Sequence, residues 1–185
     1  MSRIEIKNDR TRALEEVEGS DGRMNVSSRS DNRGYYNSRD EKQSYSICFD
    51  HQGAVAGEHS LYIENTSSTK ELVISAAGIN AAENARIKMW FVSGTAAGGS
   101  ALTPSNLNKG SSNDADAIVR VGNSGDAITG LTTLSCVDFV AVTANGHEEI
   151  RLHDTVRLGQ NDAVMLEYDE GTTGDFFGVA FFYFE

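Results

Sequence analysis

The chain has 185 residues, a formal net charge of −11 at pH 7 and only two cysteines. That length suits one domain with an extension, and so few cysteines exclude a disulfide-built scaffold. No apolar run approaches the ~20 residues of a spanning helix, and Met1–Lys7 lacks the apolar core of a signal peptide, so neither a membrane partner nor a leader is expected.

The charge divides unevenly. Residues 1–44 hold nine basic and nine acidic residues, leaving to 45–185 seven of the 16 basic and 18 of the 27 acidic ones. An acidic body repels nucleic acid and anionic membranes, so no nucleic-acid partner is expected.

Taken in chain order, residues 1–44 read as an extended N-terminal arm. A short helix is predicted over 9–18: Asn8 or Asp9 caps it, Leu14 and Val17 share a face, and Gly19 ends it. A helix of that length is marginal alone and needs a surface to lie on. Residues 19–44 are rich in Gly, Ser, Asn, Asp and Arg, with Met24, Val26, Tyr35 and Tyr36 as isolated apolar anchors. This composition predicts a segment that orders on binding. Arg23, Arg29, Arg33 and Arg39 are interleaved with Asp21, Asp31 and Asp40, which cancel most of their field. Pairing with polar and acidic groups of a protein partner is expected from them. The expected partner-binding residues are therefore these four arginines with Leu14, Val17 and the four anchors.

From Gln43 the period becomes two. Tyr45, Ile47 and Phe49 alternate with polar neighbours, then Leu61 and Ile63, and Leu72–Ile74 restarts a strand. Arg86–Val92 places Ile87, Met89 and Phe91 on one face. Gly94–Ala101 reads as a loose loop, and Asn106–Asp116 as another. Ile118–Val121, Val137–Thr143, Glu149–Leu152, Ala163–Tyr168 and Phe176–Phe184 complete eight or nine strands with no helix between them. The spacing predicts an all-β fold, an antiparallel β-sandwich of jelly-roll type over 45–185. Cys48 and Cys136 fall inside predicted strands and are expected to be small buried thiols, with a single disulfide as the alternative if those strands are neighbours.

The last strand is apolar on both faces. Phe176, Ala180, Phe182 and Phe184 serve the core, and Phe177, Val179, Phe181 and Tyr183 face the other way. A strand wetted on one side should alternate with polar residues, so these four are expected to meet another subunit or a flanking loop. The oligomer interface is expected there.

Chemistry-bearing residues are few. His147 and His153 share a strand face but stand ~20 Å apart at 3.3 Å per residue, too far for one metal ion. Ser124 sits in the turn Asn123-Ser124-Gly125-Asp126, which a hairpin explains, and no base or oxyanion site is evident for it or for His153-Asp154. Asp114, Asp116, Asp169, Glu170 and Asp175 cluster carboxylates in loops but match no calcium-loop spacing. No enzyme activity, catalytic residue, cofactor or metal is expected.

Several segments carry a resemblance: Asp21-Gly22-Arg23-Met24-Asn25-Val26-Ser27-Ser28, Tyr35-Tyr36-Asn37-Ser38-Arg39-Asp40, Leu61-Tyr62-Ile63-Glu64-Asn65-Thr66, Phe91-Val92-Ser93-Gly94-Thr95-Ala96 and Leu102-Thr103-Pro104-Ser105-Asn106-Leu107-Asn108. Over about Asp21 to Glu185 the chain resembles the small jelly-roll virion proteins of tailed bacteriophages that decorate or cement capsids. The resemblance implies a homotrimer whose arm lies on the major capsid protein or other virion proteins. It also implies location in the virion after assembly in the host cytoplasm, and no enzyme. The alternative is a receptor- or glycan-binding module of a fibre or tail, using the Gly94–Asp116 stretch.

Overall fold

The computed structural model describes residues 5–7, 14–16 and 37–185, with the first two segments and residues 39 and 40 described by backbone alone. The chain divides into two units, Met1–Asp31 and Asn32–Glu185. In the first, β1 (Glu5–Lys7) pairs antiparallel with β2 (Leu14–Glu16), Ile6 opposite Glu15. This corrects the helix expected over 9–18: Leu14–Glu16 is strand. A ten-residue helix has too few internal hydrogen bonds to offset nucleation, and a local hairpin supplies pairing instead. Val17, Arg23, Met24, Val26, Arg29, Arg33, Tyr35 and Tyr36 lie outside the described residues.

The second unit opens with one wide turn, Asn37–Glu41, closed by the Gln43 N–H on the Asn37 carbonyl at 2.9 Å. Eleven strands follow: β3 (Ser44–Ala54), β4 (Glu58–Asn65), β5 (Leu72–Ala81), β6 (Ala85–Ala97), β7 (Ser100–Ala101), β8 (Ser105–Asn106), β9 (Ala117–Val121), β10 (Thr129–Val142), β11 (Gly146–Leu158), β12 (Ala163–Gly171) and β13 (Gly174–Phe184). They form two antiparallel sheets, β11-β5-β13-β3-β8 and β10-β6-β12-β4-β9-β7. The expectation of an antiparallel β-sandwich holds.

The order of the eight long strands has a simple logic. β3 pairs with β13, β4 with β12, β5 with β11 and β6 with β10, so the first strand meets the last and each later one meets its mirror. This is one long hairpin rolled up. The lateral pairings β13–β5 and β12–β6 close the roll into two sheets of jelly-roll order. The short strands inserted between β6 and β10 widen both sheets: β9 and β7 extend from β4, and β8 adds to β3.

Between the sheets lies one core, supplied by alternate residues of each strand. Its aromatic centre is Tyr45 stacked on Phe182 at 5.4 Å, with Phe184 edge-on to both and Phe49 edge-on to Phe176 at 5.3 Å. Burial of each such ring contributes about 1.5–3 kcal/mol. A second, smaller cluster covers part of the outer face of the six-stranded sheet, where Ile128 packs with Tyr62, Val92, Ala163 and Met165.

That second cluster explains a difference from the sequence reading. Gly94–Ala97, expected as loop, continues β6 and pairs with the start of β10. The pairing needs glycine at both sides of a close approach. Gly94 and Gly130 both have positive φ, and a Cβ on either would come about 2.4–2.5 Å from a backbone oxygen of the facing strand.

Candidate functional site

Of the expected interface residues on β13, the four divide. Phe177 and Phe181 are 42% and 36% exposed, and Val179 is half-buried. Tyr183 is only 1% exposed, which corrects its assignment: it has no surface to offer a neighbour. It lies at the end of the strand beside Ser44 and Val73, both also buried, where the turn Asn37–Glu41 packs on β13 and β3. The chain itself thus supplies the flanking cover that the sequence left open as an alternative to a subunit contact. Leu14 of β2 is described by backbone only, as is Arg39 in the wide turn.

The cysteines are a second correction. Both are exposed and free. Strand alternation puts Ile47 and Phe49 in the core, so Cys48 between them must point outward. Cys136 lies on β10, an edge strand whose pairing is interrupted by three register shifts, so its side chain has no covering layer.

The register assembles the outer face of the five-stranded sheet from distant segments. Asp50 of β3, Phe177 of β13, Asn80 of β5 and His147 of β11 stand side by side in one row. Cys48, Val179, Gly78 and Glu149 form the next, and Ser46, Phe181, Ala76 and Arg151 the third. An open groove runs over the first two rows. His147 Nδ1 lies 3.2 Å from Asn80 Oδ1, the Gln52 amide donates to Asp50 at 3.3 Å, and the Gly53 N–H donates to Asp175 at 3.0 Å. Arg151 is paired with Glu149 at 2.6 Å. The groove therefore combines one exposed phenyl ring with amides, carboxylates and an imidazole.

Beside the second apolar cluster, part of the outer face of the six-stranded sheet is a polar network. Asp169 accepts from Arg86 at 2.5 Å and Lys88 at 2.7 Å, and the Trp90 indole N–H donates to Glu167 at 2.6 Å. Burial pushes the Asp169 carboxyl up, but the hydrogen bonds from Lys88 and Arg86 outweigh it and hold the group below its ordinary range. The ammonium of Lys88 sits 5.5 Å from the centre of the Trp90 ring. These groups satisfy one another.

One constellation has the form of a nucleophilic triad and was not foreseen. His51 Nδ1 lies 2.8 Å from Ser60 Oγ, and its Nε2 lies 3.2 Å from Glu58 Oε2. A serine nucleophile must meet its substrate, and Ser60 and His51 are both fully buried. The arrangement ties the β3–β4 hairpin together; the Val55 N–H also donates to Glu58 at 3.0 Å. Ser124, the serine considered from sequence, sits in a two-way hydrogen-bonded turn between Asn123 and Asp126. His153 and Asp154 occupy the register break of β11 with positive φ. Among the described residues, no three His, Cys, Asp or Glu side chains are grouped to share a metal ion.

Nothing in the comparisons identifies the chain: no protein-family model, curated protein or solved structure matches it. The resemblance to phage decoration proteins rests on the motifs quoted above.

Proposed function

We propose that this chain is a structural, non-enzymatic assembly protein, fastened to a larger particle through its first 44 residues. On the motif resemblance, that particle is a tailed-phage capsid and the chain decorates or cements it as a homotrimer. The observation that carries the reading is the completeness of the body. Every long strand of the sandwich pairs within residues 44–184, and among the described residues β1 and β2 pair only with each other. A sandwich whose long strands are paired among themselves leaves the preceding segment for a partner. The balanced charge of residues 1–44 suits a protein surface, while residues 45–185 carry the whole net charge of −11 and keep neighbouring trimers apart in solution. Three arms on one trimer would raise effective concentration at the particle.

Self-association would draw on large apolar side chains still exposed, Phe181 on β13 and Leu134 and Phe139 on β10, the last two 63% and 60% exposed. An edge strand bearing such residues is a ready surface for another chain.

The test is co-sedimentation with capsids assembled without the protein. The full chain should pellet with them, and a chain lacking residues 1–31 should stay in the supernatant while keeping its β-type circular dichroism. Pelleting of the shortened chain to the same extent would remove the proposal.

A further inference from the structure

The groove on the five-stranded sheet is edged by side chains of four strands. Phe177 and Val179 of β13 stand at its middle, with Cys48 and Asp50 of β3 on one side and Gly78 and Asn80 of β5, then His147 of β11, on the other. A Cβ on Gly78 would stand 3.2 Å from His147 Cε1 and 3.6 Å from Val179 Cγ1, so the missing side chain lets the imidazole and Val179 pack over β5 beside the Phe177 ring. Beyond Phe177 lies a second hollow reaching Asn145 and Gly146, and it shares Asn80, Asp175 and Phe177 with the first. One exposed ring stands between two hollows edged by hydrogen-bonding side chains.

We propose that this groove binds a neutral oligosaccharide, with the Phe177 ring as its stacking platform. A sugar ring has an apolar C–H face and a rim of hydroxyls that both donate and accept. The phenyl ring meets the first requirement; the Asn80 amide, the Asp50 and Asp175 carboxylates and the His147 imidazole meet the second. Hollows on both sides of the ring suit consecutive sugar units of one chain. Charge selects against other occupants. Glu149 is neutralised by Arg151, which leaves Asp50 and Asp175 to repel phosphates and anionic polymers. An apolar peptide would strand Asn80, Asp50 and Gln52 without water, and a second copy of this face would set carboxylate against carboxylate. This site stands whether or not the N-terminal segment fastens the chain to a particle.

The test is calorimetric titration of the full chain with maltohexaose, cellohexaose and chitohexaose, and with an oligogalacturonate as the acidic arm. At least one neutral oligosaccharide should saturate the protein and the acidic one should not bind. Phe177→Ala should weaken binding about tenfold or more, while Phe177→Trp and Ile118→Ala, at another exposed apolar residue, stay within about threefold. Phe177 is exposed, so the alanine variant should keep its urea midpoint, which verifies that lost affinity is not lost fold. Absence of binding to all three neutral sugars at millimolar concentration, or binding indifferent to Phe177→Ala, would overturn the proposal. So would a Phe177→Ala chain whose light-scattering mass falls while the parent binds no sugar, because the face is then a self-contact. Capsid sedimentation is not a readout here, so either proposal can fail alone.

Discussion

His51 is fully buried at the β3–β4 hairpin, with Ser60 on one ring nitrogen and Glu58 facing the other. Burial lowers its pKa below the ordinary imidazole value, and the opposing pull of Glu58 and Asp50 does not reverse that direction. The folded state therefore favours the neutral ring, while the unfolded chain takes up a proton near pH 6.5. The stability this gives is complete above about pH 6.5 and is lost as pH falls below it towards the folded-state value, with a slope of at most ~1.4 kcal/mol per pH unit for one proton. His51→Gln retains a hydrogen-bonding partner for Ser60 but does not titrate. Its urea stability should be lower than the parent's at pH 7.5, and the gap should narrow by pH 5. Parallel pH profiles for the two chains would show that His51 does not titrate with folding. None of this was legible in the sequence, because His51 and Ser60 are joined by the register of a hairpin whose turn chemistry says nothing about the imidazole.

At the scale of elements, β13 and β5 leave no room for a side chain at a pair of glycines. A Cβ on Gly178 would stand 2.2 Å from the Gly78 carbonyl oxygen and 2.9 Å from Phe49 Cζ, and the first of these is backbone that cannot swing aside. Gly178→Ala should cost about 1–3 kcal/mol through overpacking and lower the melting temperature by several degrees; an unchanged melt would mean the two strands can part. The alternation of apolar residues located the long strands and the core face of each. Their lengths were less legible: β6 runs on through Gly94–Ala97 because Gly130 on β10 faces it, a pairing across 36 residues. β7 and β8, at two residues each, exist only by pairing with distant strands and leave no periodic trace. The groove is legible least of all, since Asp50, Phe177, Asn80 and His147 become neighbours only once four strands are in register.

For the whole molecule, the division into two units predicts that residues 1–31 can be removed without loss of the body. The melting temperature of the shortened chain should stay within about 2 °C of the parent's, and a larger fall would show that the first unit supports the sandwich. Exposure of Cys48 and Cys136 follows from the same layered build, in which each strand has one covered side and one open side. The rolled-hairpin order has a further consequence for synthesis. β3, the first strand of the sandwich, gains its long antiparallel neighbour only once β13 has been made, after every other strand of the two sheets. Contacts of such sequence separation form late. A polypeptide released before β13 would leave β3 open to the solvent along that side, so the sandwich closes only when its last strand arrives, and a copy lacking that strand carries an unpaired edge in the middle of the sheet.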